Sequence, residues 1–281
     1  MNRLPMRMTP YPCPSGHCKR WLLALPAKQQ LVLLDGTHGI LARYGSGQEG
    51  DKDGPAEQAE LNTPSAVVVL ADDFYLLDQR GQKLKRVDAV ENRLETQLCF
   101  PLSWGSAEDL STDGVGGILI SFPEQKSIMQ WQPGGALQSW VALPFGPTTL
   151  QPWQGGWLVV DGQQGELWGL SCQRERMKLT NGKEKIVQIA TMGGQLWASD
   201  IDGGLSVAAL PTVLSAGMLL ELQEYTSHLL DSEGLFCGLP LVVEGLGSSV
   251  ESGLLLAVTG QVGLFSVHLA LGDVTRWQFM L

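Results

Sequence analysis

Three sets of side chains in this sequence have the chemistry to bind a ligand or to react. The densest is Cys13-Pro14-Ser15-Gly16-His17-Cys18, which gathers three metal-ligating side chains into one short run. A closed zinc site takes four ligands, and the nearest further donor, His38, stands alone in a turn. Cys13, His17 and Cys18 are therefore candidate metal ligands without a fourth partner, and a packed N-terminal turn is the competing reading. A Cys13–Cys18 disulfide would require an oxidising compartment. The second set is Asp78, Asp161 and Asp200, each at the end of an apolar run. Carboxylates repeated in this way would ring one mouth of a channel and hold a divalent cation, or each would accept hydrogen bonds from its own turn. Leu25, Phe122 and Val258 stand at or near the matching position of three further runs and interrupt a ring, which favours the turn. The third set is Glu108, Asp109, Asp231 and Glu233, carboxylates close to candidate inner strands. Nucleophilic catalysis finds no support. There is no G-x-S-x-G elbow and no phosphate-binding loop, and His17, His38, His228 and His268 have no motif partner. No catalytic set and no cofactor site follow from these residues.

The elements that would position these groups are short strands. An apolar run, a tight turn rich in Gly and Gln, and a second apolar run recur along the chain. The pairs are residues 21–25 with 31–34, 75–78 with 84–87, 118–121 with 128–131, 157–161 with 167–170, 196–200 with 205–208, and 254–258 with 264–267. A strand candidate precedes each pair and another mostly follows, giving four strands per unit at a spacing of roughly 45 residues. The expectation is one all-β domain over residues 1–281, a six-bladed β-propeller with four-stranded antiparallel blades. Its approximate blades are 1–46, 47–101, 102–145, 146–182, 183–223 and 224–281. A sandwich of short strands is the competing architecture. Residues 7–11 or the C-terminal tail would supply a missing inner strand, and residues 216–225 read as helix or strand equally well.

The most specific pattern lies in residues 50–87: Asp53-Gly54, Ala59, Leu61 and Pro64, then Tyr75-Leu76-Leu77-Asp78 and Leu84-Lys85-Arg86-Val87. It resembles the NHL repeat, in which DG, a small residue, an apolar residue and Pro precede Y-V-x-D, a basic residue and I-x-x-I. Lys83 stands where that family usually has Arg, and Gly81 where it usually has Asn. The resemblance implies a propeller, typically six-bladed, used mostly as a binding platform and in some relatives as an enzyme. It also implies that Asp78 is a fold residue of its hairpin. The similar gluconolactonase and regucalcin propellers hold one cation with Glu, Asn and Asp at the channel mouth, but none of the inner carboxylates here falls in a matching motif.

Composition narrows the partners. The formal net charge is −10, whereas nucleic-acid binding needs clustered Lys and Arg. The densest basic group, Lys83, Lys85 and Arg86, reads as a solvated strand face. No stretch approaches the roughly 20 apolar residues of a membrane span, and the leading segment makes a poor signal peptide; the expected location is cytoplasmic. Five Cys is an odd number; Cys99, Cys172 and Cys237 lie in apolar surroundings, where buried thiols behave as small hydrophobes. Among nine Trp, Trp157, Trp168 and Trp197 read as core, while Trp104, Trp131, Trp140 and Trp153 are candidates for a protein-binding face, since aromatic residues are enriched at interfaces. The expected function is a non-catalytic scaffold, or a subunit of a larger assembly, that binds another protein. The alternative is a metal-dependent lactonase or hydrolase of the regucalcin type with one divalent cation such as calcium.

Overall fold

A computed structural model describes residues 6–11, 20–35, 38–78, 82–183, 185–192, 194–213, 217–224, 243–249, 253–258, 263–268 and 273–277. The chain divides into two compact units, residues 1–14 with 19–150, and residues 15–18 with 151–281.

The first unit begins with β1 (Met6–Pro10), β2 (Arg20–Leu25), β3 (Gln30–Asp35) and β4 (Gly39–Tyr44). It continues with β5 (Gly54–Pro55), β6 (Pro64–Leu70), β7 (Asp73–Asp78), β8 (Lys83–Asp88) and β9 (Arg93–Cys99), then β10 (Leu110–Thr112), β11 (Ile118–Phe122), β12 (Ser127–Trp131) and β13 (Gln138–Ala142). β14 (Pro147–Trp153) starts in this unit and ends in the second, which holds β15 (Gly156–Asp161), β16 (Glu166–Leu170) and β17 (Arg176–Lys178). There follow β18 (Ile186–Met192), β19 (Gln195–Asp200), β20 (Leu205–Ala209) and β21 (Gln223–Glu224), and then β22 (Val243–Ser249), β23 (Gly253–Val258), β24 (Gly263–His268) and β25 (Asp273–Trp277). Residues 217–222 are not helical, and Gln223 and Glu224 pair with Val207 and Ser206.

These strands form five sheets: one of eight strands, one of five and three of four. β10–β13, β14–β17 and β18–β21 each run in chain order, the four-stranded pattern expected of a blade. The expectation of six blades is corrected to five. All six apolar hairpins are present, but two of them share the eight-stranded sheet. A hairpin is a local pairing, and its sequence carries no record of the long-range ladder that joins it to another.

Why these residues form stacked sheets is clearest in β7. Phe74 and Leu76 enter one apolar cluster with Leu22, Leu31, Leu61 and Val67. Tyr75 and Leu77 enter another with Ile118, Ile120, Phe122 and Trp131. Side chains alternate along a strand, so a strand apolar at every position is one whose two faces are both covered. In the second unit, Leu158, Val160 and Leu167 pack against Ile186, Ile189 and Leu196 in the same manner. The sheet of β6–β9 has an additional outer strand: Gly54 and Pro55 pair with Leu94 and Arg93. That strand exists because Gly45, at φ +103°, turns the chain after β4 and donates its N–H to the Ala56 carbonyl at 2.9 Å.

Candidate functional site

Two charged groups lie inside the first unit. One joins the first strands of successive sheets. Arg7 of β1 donates to the Thr148 carbonyl at 3.0 Å and to Thr149 Oγ1 at 3.2 Å, and its guanidinium lies 3.7 Å from Asp109 Oδ2. The Asp109 carboxylate also accepts the Leu110 and Leu150 N–H groups at 2.9 and 2.8 Å. Thr9, two residues along β1, donates to the Val67 carbonyl of β6 at 2.6 Å. Burial pushes the Asp109 carboxyl up, against the opposing pull of Arg7 and the two N–H donors. Both oxygens of this carboxylate have a protein partner, so the group ties strands together.

The second group sits on the five-stranded sheet. Lys85 is fully buried, yet its ammonium meets Asp53 at 2.9 Å and Asp51 at 3.3 Å. Lys83 pairs with Asp51 as well, and Asp53 accepts the Thr96 N–H at 2.8 Å. The basic run read as a solvated face is therefore corrected at Lys85: β8 has both faces covered, and the loop before β5 brings carboxylates over the ammonium. Burial works against ionisation of Asp51 and Asp53, but the bonds from Lys83, Lys85 and Thr96 outweigh it and hold both carboxyls below their ordinary value. Asp78 is the third carboxylate here. It is 0% exposed, and its Oδ1 accepts the Asn62 N–H at 2.9 Å. Its Oδ2 has no hydrogen-bond partner, nor has the buried Asn62 Oδ1. Burial pushes this carboxyl up to about 7, although Lys85, Asn62 and Lys83 pull the other way.

The hairpin aspartates divide accordingly. Asp161 accepts from the Gln163 and Gln164 N–H groups, and Asp200 from those of Asp202 and Gly204. Both follow the turn reading. Asp78 does not, because its donor comes from a loop sixteen residues away. Among the described residues, no group of three His, Cys, Asp or Glu is placed to hold a metal ion. Cys13, His17, Cys18, Asp231 and Glu233 lie outside the described residues. Trp131 and Trp140 are buried, and Trp131 donates to the Gly135 carbonyl and packs edge-on to Tyr75. Trp104 is half-buried with its ring edge-on to Phe122 at 5.4 Å, and Trp153 is half-buried against the core of the second unit. Cys99 and Cys172 are exposed free thiols rather than buried ones, Cys99 as the last residue of β9 and Cys172 in the turn between β16 and β17; Cys237 is outside the described residues. No described helix is long and apolar enough to cross a membrane.

No family model matches this sequence, and no curated protein matches it. Solved structures do resemble it. A streptogramin B lyase superposes with a TM-score of 0.64 at 11% identity, over 99% of this chain and 84% of the other. A chain of a nidogen/laminin complex gives 0.64 at 11% identity over 92% of each. The WD40 repeats of RRP9 give 0.60 at 12% identity over 98% and 80%. At these identities the likeness shows the fold, an all-β propeller of four-stranded blades, and no more.

Proposed function

We propose that this propeller is a non-catalytic platform that binds another protein. The observation that carries the reading is apolar exposure at turns. In the first unit Val90 is 90% exposed and Val115 77% exposed. Val90 lies in the turn from β8 to β9 and Val115 in that from β10 to β11. Antiparallel strands taken in chain order put these two turns at the same end of their sheets. Neither side chain serves the core, and apolar side chains left in solvent are the kind that a partner covers at the centre of an interface. Asp72, Asp88 and Glu91 lie on turns at that end, so the partner face that fits is apolar with a basic rim. The charged groups within the first unit are engaged with one another, which leaves them to the fold. Of the tryptophans named from sequence, Trp104 and Trp153 are half-buried and lie outside these two turns.

The test is a paired substitution, Val90→Glu with Val115→Glu, made in the full chain. Partner recovery from the native host should fall at least about tenfold while the circular dichroism and melting temperature stay those of the wild type. Undiminished recovery would remove this face from the account. A protein that travels alone and carries one divalent cation per chain would favour the lactonase instead.

A further inference from the structure

We propose that the second unit carries a docking groove between β20 and the chain that leads into β21, and that its occupant is an extended segment of the partner protein with an apolar side chain flanked by Lys or Arg. The inference deepens the platform reading and rests on it.

The groove arises where a ladder stops short. Gln223 and Glu224 pair with Val207 and Ser206, and the same register would set Glu221 opposite Ala209. The chain goes elsewhere: the Leu220 N–H donates to the Leu179 carbonyl at 2.7 Å, just beyond the end of β17. Residues 218–222 are drawn toward the preceding sheet, and a cavity of about 580 Å³ opens beside β20. That volume lies within the roughly 300–1,000 Å³ of ligand pockets. The backbone of β20 is turned toward this gap. Leu210 donates its N–H to the Gly194 carbonyl, on the β19 side, at 2.8 Å. Successive residues of an antiparallel strand alternate in direction, so the N–H and C=O of Ala209 point to the opposite edge. An extended chain can pair there as an added strand.

Lining and charge select the occupant. Leu210, Pro211, Met218 and Leu219 line the cavity. Leu220 and Leu222 pack against the core of the second unit, whereas Leu219 is 58% exposed and Glu221 is exposed. Alternation along extended chain turns the latter two away from that core. The thioether of Met218 adapts to apolar side chains of different shape. Among the described residues, Glu221 is the one charged side chain in the lining. Residues 186–224, which hold this whole sheet, contain no Lys, Arg or His and carry Asp200, Asp202, Glu221 and Glu224. The sheet offers Glu221 no cation of its own, so the complementary charge comes with the ligand.

Fluorescence anisotropy on the full chain tests the proposal. The probes are four labelled eight-residue peptides that alternate Arg with Leu, Ile, Val or Phe. At least one should bind saturably, and about tenfold more tightly than its counterparts with Glu for Arg or with Ser for the apolar residue. Ala209→Trp, which fills the groove from an exposed position, and Glu221→Lys should each weaken that binding by about tenfold. Should Ala209→Trp fail to fold, Leu219→Ser supplies the same test. Val90→Glu with Val115→Glu should leave peptide binding unchanged, which separates this groove from the turns of the first unit. Absence of saturable binding by all four peptides would overturn the proposal. So would equal binding of the Ser counterparts, or affinity unchanged in Glu221→Lys and in the groove variants.

Discussion

Lys85 and Asp78 are a few residues apart on one hairpin, yet they bear on stability with opposite signs. Lys85 is a buried ammonium whose partners are partly exposed. Removal of one partner leaves it half-compensated, which is costly. Asp53→Ala should therefore lower stability by about 2 kcal/mol in urea unfolding at neutral pH, because Asp51 remains. For Asp78 the folded-state carboxyl lies above its unfolded value of 3.8, at about 7. The folded state then binds more protons than the unfolded state between these values, and its stability falls as pH rises through that window. Asp51 and Asp53 act in reverse: their carboxyls are held low, and their contribution is lost as the pH falls below the ordinary carboxylate value. Asp78→Asn should leave the protein close to wild type near pH 4 and progressively more stable than wild type up to pH 7, with the difference constant above. Urea midpoints at several pH values measure this, and a difference that shrinks as pH rises would contradict the assignment.

At the scale of strands and turns, two kinds of glycine separate. Gly45 combines φ +103° with a site where an added Cβ would stand 2.6 Å from the Gln29 carbonyl oxygen. Gly114 has φ +78° with open space around it. Gly114→Ala should cost about 1 kcal/mol, the backbone penalty alone, and Gly45→Ala about 3 kcal/mol, since a backbone oxygen must move as well. Thermal unfolding of the two variants compares them directly. Equal losses would show that the turn after β4 is looser than its geometry. The Arg7–Asp109 pair acts between elements. Asp109→Ala strands a guanidinium among β1, β10 and β14 and should cost about 3 kcal/mol. Arg7→Met should cost less, because a carboxyl already pushed up by burial takes a proton. A larger loss for Arg7→Met in the same unfolding assay would contradict this order.

For the molecule as a whole, local signals carried far and then stopped. The six hairpins were legible because an apolar run, a turn and a second run are written within about twenty residues. The turn role of Asp161 and Asp200 was legible for the same reason. What escaped was set by distance along the chain. Asp53 reaches Lys85 across 32 positions, so a basic strand looked solvated. Asn62 meets Asp78 from a different loop, and the union of two hairpins in one sheet turned an expected six blades into five. Cys99 and Cys172 are exposed because the first ends β9 and the second lies in the turn after β16, positions that an adjoining apolar run does not reveal. Asp109 was picked out by its place before β10, but its partner Arg7 lies in another sheet and gave no signal beyond a strand-like run.

The most direct measurement is made on the protein purified from its native host without overexpression. Light scattering gives the mass of the complex, mass spectrometry its components, and elemental analysis its metal content, all on one eluate. The platform reading predicts a stoichiometric protein partner that is lost in Val90→Glu with Val115→Glu. A lone 30.4 kDa chain with one divalent cation bound per molecule would contradict it.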